Sequence, residues 1–360
     1  MTLSRTHRFD LFLQRVAVAW ATWRKARENR GQAAKPPVIR GVRYGDDPPV
    51  LVMCDYVFEF ALRERPDFWA QWAGRPALII LLRSWEITNA THVRPMKALA
   101  ARHRQTYPGH RVVYAANTPG EMDVLAANDF EAVFCNHNAL VDENVFCPSP
   151  EAKAGDAREF DAIYDARICR FKRHHLAARV PRLALVHYAV VELCEPLWWL
   201  AMRFRLRRAK VLNRKERGFW RWPFFLTPSE VAVANRRART GLCLSEVEGA
   251  MVASIQYLLC GLPVVTTASR GGRDQFFDAY NSLEVASDAR AVADGVRTMI
   301  ARNPDPWKIR AATIARMQEH RVRLVAFVDA FQAEHGVPPG ERLSARWPGC
   351  LGNAFKNVLG

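Results

Sequence analysis

The stretch LSEVEGAMVASIQYLLCGLPVVTT, residues 244–267, sets a Glu-Gly turn at the mouth of an apolar helix and follows that helix with the strand LPVVTT. Ser245 and Glu248 have the S-x-x-E spacing of a capping box, in which the serine caps the helix and the glutamate reaches back to a backbone N–H. That accounts for both residues without a ligand. Gly249 is left over, because glycine in a first helical turn costs roughly 1 kcal/mol relative to alanine. Something is expected to approach the backbone there. The N–H groups and positive dipole end of a helix N-terminus attract anions. In a parallel sheet, moreover, the strand-to-helix turn lies at the carboxyl ends of the strands, where α/β folds bind ligands. A phosphate at Gly249, Ala250 and Met251 is the expectation.

Outward from this stretch, strands and helices alternate. GLCLS (241–245), FDAIYDA (160–166) and RLALVHYAVV (182–191) read as buried strands, with RHHLAARV (173–180) and DARAVADGVRTMIARN (288–303) as helices. In the first half PPVLVMCDYVF (48–58), PALIILLR (76–83), HRVVYAAN (110–117) and EAVFCNHNAL (131–140) read as strands. THVRPMKALAARHRQTY (91–107) and TPGEMDVLAAN (118–128), with Pro119 in its first turn, read as helices. This rhythm is that of a parallel sheet, and PSPEAKAGDARE (148–159) interrupts it as a linker would. The expected organisation is a basic amphipathic helix within 1–40, a Rossmann-like domain over 41–150, a second over 151–335, and a segment 336–360 that crosses back to the first domain.

The 360 residues, 49% hydrophobic, suffice for two ordinary domains. With 52 basic against 36 acidic residues the formal charge is +16, which calls for an anionic partner: nucleic acid, an acidic membrane surface or a phosphate-bearing small molecule. No nucleic-acid module is recognisable, which disfavours the first. The eight cysteines form no C-x-x-C pair and read as buried thiols in a reducing compartment. Cys135, His137 and Cys147 lack a fourth ligand nearby, so no metal is expected. The N-terminal apolar segment is interrupted by Arg15 and shows no cleavage site, so the chain is expected in the cytoplasm. Phe9, Phe12, Leu13, Val16, Trp20 and Trp23 fall near helical spacing beside Arg15, Arg24, Lys25 and Arg27. Such a helix packs on the body of the protein or lies on an anionic membrane. The apolar run 183–202 contains Glu192, Glu195 and Pro196 and does not read as a membrane span. The basic, aromatic run RFRLRRAKVLNRKERGFWRW (203–222) follows it, and suits either a membrane interface or a solvated helix end.

The opening stretch, extended to SRGG (269–272), resembles the carboxyl-terminal signature of retaining GT-B glycosyltransferases, in particular glycosyltransferase family 4. Glu248, Gly261, Pro263, Gly271 and Gly272 stand where that signature has them, and YNSLEVASDARAVADGV (280–296) resembles its continuation. DARICRFKRHHLA (165–177) supplies Arg167 and Lys172 at the spacing of the family's arginine and lysine, which bind the donor diphosphate. Gln256 stands where the family has a second glutamate on the nucleotide ribose, and the glycine-rich loop usual after the first strand is missing. The resemblance is strong over 160–300, faint over 75–150 and absent before that.

The resemblance implies a GT-B fold, two Rossmann-like domains facing a central cleft, and transfer of a sugar from a nucleotide-diphosphate donor with retention. Arg167 and Lys172 would stabilise the leaving phosphate and Glu248 would hold the donor sugar. Ser245, Gly249, Ala250, Met251, Gln256, Gly271 and Gly272 complete the expected donor site. Two side chains and a helix end then supply the positive charge that a metal supplies elsewhere, so neither metal nor cofactor is expected. A glycan or lipid-linked acceptor, in cell-envelope or surface polysaccharide synthesis at the inner face of the membrane, would meet SWEITNATH (84–92) and AANTPGE (115–121). Glu86, His92, Asn117 and Glu121 are the acceptor candidates there, each taken alone better explained as a loop cap or surface contact. Asn136, Asn138, Asp142 and Glu143 line the expected hinge. The alternatives are a catalytically reduced GT-B-like protein that binds nucleotide or glycan, kept open by Gln256, and a basic nucleic-acid-binding protein.

Overall fold

The computed structural model describes residues 38–83, 85–87, 90–153, 158–188, 196–213 and 225–347, with Arg15 and Leu359. The amphipathic segment 9–27, and residues 189–195 and 214–222 of the apolar and basic runs, lie outside the described residues.

The first half builds a five-stranded sheet from β1 (Val42–Asp46), β2 (Pro49–Cys54), β3 (Ala77–Leu82), β4 (His110–Ala116) and β5 (Ala132–Phe134). The spatial order follows the chain, and β1 alone runs antiparallel to its neighbour. Four helices connect these strands: α1 (Asp55–Glu64), α2 (Pro66–Ala70), α3 (Ala90–Thr106) and α4 (Pro119–Ala126). Because successive parallel strands are neighbours and crossovers are right-handed, these helices all fall on one face. Leu51, Met53, Ile79 and Leu81 point into that face, against Phe58, Phe68, Trp69 and Trp72. Their chain neighbours Val50, Val52, Leu78, Ile80 and Leu82 point to the other side and must be covered from elsewhere. Both faces being buried is why β2 and β3 read as unbroken apolar runs.

The second half forms a six-stranded parallel sheet. Its elements are β6 (Phe160–Asp165), β7 (Leu183–Val186), α5 (Pro196–Arg205), β8 (Lys210–Val211), α6 (Pro228–Arg236), β9 (Ala238–Cys243), α7 (Val252–Leu259), β11 (Val264–Thr267), β13 (Ser282–Val285) and α8 (Ala289–Arg302). A short parallel pair, β10 (Val247–Glu248) with β12 (Arg270–Gly271), stands outside the sheet. The sheet order β13-β11-β9-β6-β7-β8 is doubly wound, reversing direction between β6 and β9.

The missing cover for the first sheet comes from α9 (Pro306–Glu334), 29 residues long and so roughly 44 Å, followed by α10 (Leu343–Arg346). Ile309 and Met317 pack into the core of the second sheet. Leu324, Val328 and Phe331 pack under the first sheet with Leu343, a burial of roughly 6 kcal/mol for the three. One helix thus closes both halves.

Several elements differ from their sequence reading. The strand of PPVLVMCDYVF ends at Cys54 and a helix starts at Asp55. EAVFCNHNAL keeps its strand only to Phe134 and then turns through a 3-10 segment, His137–Leu140. RHHLAARV is no α-helix: Arg170–Lys172 and His174–Ala177 are separate 3-10 turns, parted by Arg173 in the left-handed region at φ 48°.

Candidate active site

The reversal between β6 and β9 opens a crevice at the strands' carboxyl ends. β6 ends at Asp165, and the loop after it carries Arg167 and Lys172. β9 ends at Cys243, and the loop after it carries Ser245, Glu248 and Gly249–Met251. The fold brings these two loops together. Lys172 and Glu248, each 8% exposed, form an ion pair across the crevice. Arg173 pins the two loops by donating to the Leu244 carbonyl at 2.6 Å and the Thr267 hydroxyl at 2.8 Å. The Tyr164 hydroxyl donates to the Lys172 carbonyl, holding the turn from beneath.

Arg167 reaches toward the first sheet. Its guanidinium lies 5.8 Å from the Tyr188 ring centre, and its charge is felt by the Tyr56 hydroxyl of α1. Burial of that hydroxyl outweighs the cation and pushes the phenol up to about 12. Asp165 is pushed up to about 7 by burial, partly opposed by Lys172. Its backbone N–H donates to the Tyr257 hydroxyl at 2.6 Å. Tyr257 can lie there because Gly241 has no side chain; a Cβ at that position would sit 2.3 Å from the tyrosine ring.

The capping box predicted for Ser245 and Glu248 is not formed. Helix α7 begins at Val252, its N-cap is Met251, and no side chain caps it. Glu248 sits in β10 and spends its carboxylate on Lys172, while the buried Ser245 hydroxyl meets only the Met251 sulfur, at 4.0 Å. Gly249 therefore lies before the helix rather than in its first turn, and its carbonyl accepts from the Gly272 N–H at 2.6 Å. Gly271 has φ 100°, and a Cβ there would lie 1.7 Å from the Glu248 carbonyl oxygen; only glycine fits. The Gly-Gly loop is thus packed against the Glu-Gly loop. Gln256 shares the half-exposed stripe of α7 with Val252, the rest of that helix being buried.

Across the crevice lies a cleft of 860 Å³, walled by α1, α3 and the end of β3 on one side and by Val247 and Arg270 on the other. Glu86 and His92 line it. So do Trp85, from the expected stretch 84–92, and Tyr56, Met96, Leu99 and Arg102, which the sequence does not single out. Pro95, Met96, Leu99 and Arg102 recur at helical spacing along α3, a signal that was available. Asn117 and Glu121 do not face this cleft. Glu121, 2% exposed, accepts from the N–H groups of Asn117 at 2.7 Å and Ile87 at 3.4 Å. Burial outweighs those donors and pushes its carboxyl up to about 7. Asn117 is fully buried and donates to the Arg83 carbonyl at 3.1 Å. Both residues shape the loop behind the cleft wall.

The expected hinge residues diverge in the same way. Asn136 and Asn138 reach across to the second half, with His137 between them: the Asn136 side chain donates to the Gly272 carbonyl at 2.7 Å and that of Asn138 to the Met251 carbonyl at 3.1 Å. His137 sets its two ring nitrogens against the carbonyls of Arg83 at 3.0 Å and Ala250 at 3.1 Å. Burial pushes it down to about 4, so the ring is neutral and has one proton for two acceptors. Glu143 instead pairs with Arg321 of α9 at 2.7 Å. Buried Arg273, unnoticed in the sequence, donates to the carbonyls of Cys243 at 3.0 Å, Ser245 at 2.7 Å and Thr267 at 2.6 Å, fastening the ends of β9 and β11.

The architecture is the GT-B fold, two Rossmann-like units facing a central cleft. Solved structures similar to this chain are those of GT-B glycosyltransferases. One is TarM of S. aureus, with TM-score 0.54 and 12% identity, matched over 78% of this chain and 54% of TarM. HepE of Anabaena, solved with UDP and glucose, has TM-score 0.53 and 14% identity over 77% of each chain. The pneumococcal O-GlcNAc transferase GtfA, solved with UDP and GlcNAc, has TM-score 0.50 and 12% identity over 79% of this chain and 56% of its own. The chain therefore spans about half the length of TarM and of GtfA. At such identities the likeness is one of fold. No protein-family profile matches the chain, and no curated protein matches it in sequence.

Proposed function

We propose that this chain is a glycosyltransferase that moves a sugar from a nucleotide-diphosphate donor to a glycan or lipid-linked acceptor, with retention and without a metal. The observation that carries the reading is the convergence of Arg167, Lys172, Glu248 and the Gly249–Met251 backbone on the crevice of a doubly wound sheet, facing a second α/β unit. Cleaving a nucleotide-sugar bond puts negative charge on the departing phosphate and positive charge on the sugar. Arg167, Lys172 and the N-terminal N–H groups of α7 oppose the first, and such preorganised charge is the main catalytic resource of a site of this kind. Glu248 has the polarity to hold sugar hydroxyls.

The acceptor cleft suits a molecule that is partly apolar and partly charged. Trp85, Met96 and Leu99 offer apolar surface, and Arg102 and Arg270 offer one guanidinium from each half of the molecule, beside the carboxylates of Glu59 and Glu86 and the Arg83–Asp55 pair. A phosphate-bearing lipid-linked acceptor of envelope or surface polysaccharide synthesis answers to both, and so does attachment to an anionic membrane. Helix α5 presents Leu200, 60% exposed, and Phe204, 70% exposed, one turn apart on one face. Arg203, Arg205, Arg207, Arg208 and Lys210 stand beside them, with no acidic residue between 196 and 213. Among the described residues no helix is long and apolar enough to cross a membrane, and a peripheral position at the inner face is the one proposed.

The test is a panel of nucleotide sugars incubated with the protein and a lipid-phosphate-linked glycan or its free glycan, read by mass spectrometry. Transfer from one donor class, abolished in Lys172→Met, supports the reading. Nucleotide binding with no transfer to any acceptor would favour the catalytically reduced alternative; no nucleotide binding at all would remove both.

A further inference from the structure

We propose that Asn136, His137 and Asn138 are positioning residues that set the backbone of the donor loops from across the interdomain seam. The inference rests on the donor-site reading above. All three are buried, at 0%, 4% and 0% exposure, and all three direct side-chain nitrogens at carbonyl oxygens of the second half: Gly272, Ala250 and Met251 in turn. Asn138 also lies 3.4 Å from the Ser254 hydroxyl, inside the first turn of α7. The tripeptide itself is held from the first half by Asn117, whose carboxamide oxygen accepts from the His137 backbone N–H at 3.1 Å and whose carbonyl accepts from the Asn136 amide at 3.0 Å.

The consequence follows from peptide geometry. In a planar trans peptide the carbonyl of one residue and the N–H of the next point in opposite directions. Holding the Ala250 and Met251 carbonyls toward the tripeptide turns the N–H groups of Met251 and Val252 away from it. Those are the first N–H groups of α7, which have no partner within the helix. The tripeptide therefore sets the direction of the donors that the phosphate needs together with Ser254, whose N–H and hydroxyl also donate to the Met251 carbonyl, at 2.9 and 2.7 Å, although the tripeptide belongs to the acceptor half. The Gly-Gly loop is held in the same grip: a Cβ on Gly272 would lie 2.5 Å from the Gly249 carbonyl oxygen and 2.7 Å from the Asn136 amide nitrogen. Donor-site shape thus depends on the two halves being together.

The test uses the full chain and two perturbations within the tripeptide. Asn138→Asp keeps the shape and removes the donor to Met251; Asn136→Asp keeps the shape and removes the donor to Gly272. Backbone hydrogen exchange, read by mass spectrometry without ligand, is expected to accelerate at least tenfold over 247–259 in both variants, with α8 and β3 unchanged. Affinity for UDP, GDP or ADP, each assayed separately at a temperature where every variant is folded, is expected to fall at least tenfold for whichever the parent binds. His137→Gln, which keeps a side-chain N–H donor group, is expected to retain more of that affinity than His137→Ala. Unchanged exchange over 247–259 overturns the proposal, and so does altered exchange with unaltered nucleotide affinity. If the parent binds none of the three nucleotides the donor-site reading fails instead, and the exchange data still decide whether the tripeptide orders the loops.

Discussion

Replacing Lys172 by methionine separates the two things the Lys172–Glu248 pair does. Both side chains are only 10% exposed, so the substitution leaves a carboxylate buried without its partner. Breaking a buried pair in this way costs about 4 kcal/mol. For a chain of 360 residues unfolding as one unit, with an unfolding entropy of about 2.1 cal/mol/K per residue, that is a fall in Tm of about 5 °C. If Lys172 also stabilises the leaving phosphate, transfer falls by about 100-fold or more. The double variant Lys172→Met/Glu248→Gln carries no buried charge at this point, and its Tm is expected to return to within about 2 °C of the parent. Its activity is not expected to return. The assays are calorimetric melting and steady-state transfer, both on the two single variants and the double. If the double variant recovered activity together with stability, the pair would be a structural tie and the phosphate role would be refuted.

Arg167→Ala is expected to lower kcat about 100-fold with little change in Tm, because its guanidinium forms no ion pair among the described residues; an equal loss in Tm and activity would remove it from the site. Acid should destabilise the fold between pH 6 and 5. Burial holds His103 and His174 down to about 3 and His137 and His320 to about 4, so the unfolded chain binds up to four more protons there. Glu121 and Asp165, pushed up to about 7, bind up to two more in the native state, and the difference of about two protons is a loss of about 2 kcal/mol across that window, readable by urea unfolding at the two pH values. Equal or greater stability at pH 5 would contradict it. Leu200→Asp/Phe204→Asp should abolish binding to anionic vesicles at low salt, and 1 M salt should release much of the parent; equal binding to neutral vesicles would argue against the basic cluster as the attachment.

Much of the fold was legible because parallel strands buried on both faces leave continuous apolar runs between turn residues, as β2, β3 and β7 do. The long helix α9 was not. Its buried stripe runs Ile309, Thr313, Met317, His320, Arg321, Leu324, Val328, Phe331, and polar residues occupy it where the helix passes from one core to the other. Arg321 belongs there because the Ala139 and Val141 carbonyls and the Glu143 carboxylate accept from it. A periodicity search reads such a residue as a solvent face, since only the folded partner distinguishes the two.

The same limit decides the stretch 244–267. Three matches to the S/T-x-x-E pattern stand at helix starts, and they part ways. At the head of α4 Thr118 caps the helix by accepting from the Glu121 N–H at 3.1 Å, while the buried Glu121 carboxylate turns to the N–H groups of Asn117 and Ile87. Thr227 and Glu230 form the full box at the head of α6, with the Glu230 carboxylate on the Thr227 N–H at 2.6 Å. Ser245 and Glu248 form none of it. Glu230 is solvated and has no stronger claim on it, so the local bond wins. Glu248 is buried, and a carboxylate without water needs a full countercharge more than it needs one amide. Lys172 supplies that charge from 76 positions away. The complete box is therefore expected only where the acid remains at the surface: Glu230 closes it, and the buried Glu121 and Glu248 do not. At a strand-to-helix turn of a parallel sheet, where burial is expected, the acid of this pattern takes its partner from elsewhere in the fold: Glu121 takes the N–H groups of Asn117 and Ile87, and Glu248, in the crevice, takes the lysine that follows an earlier strand.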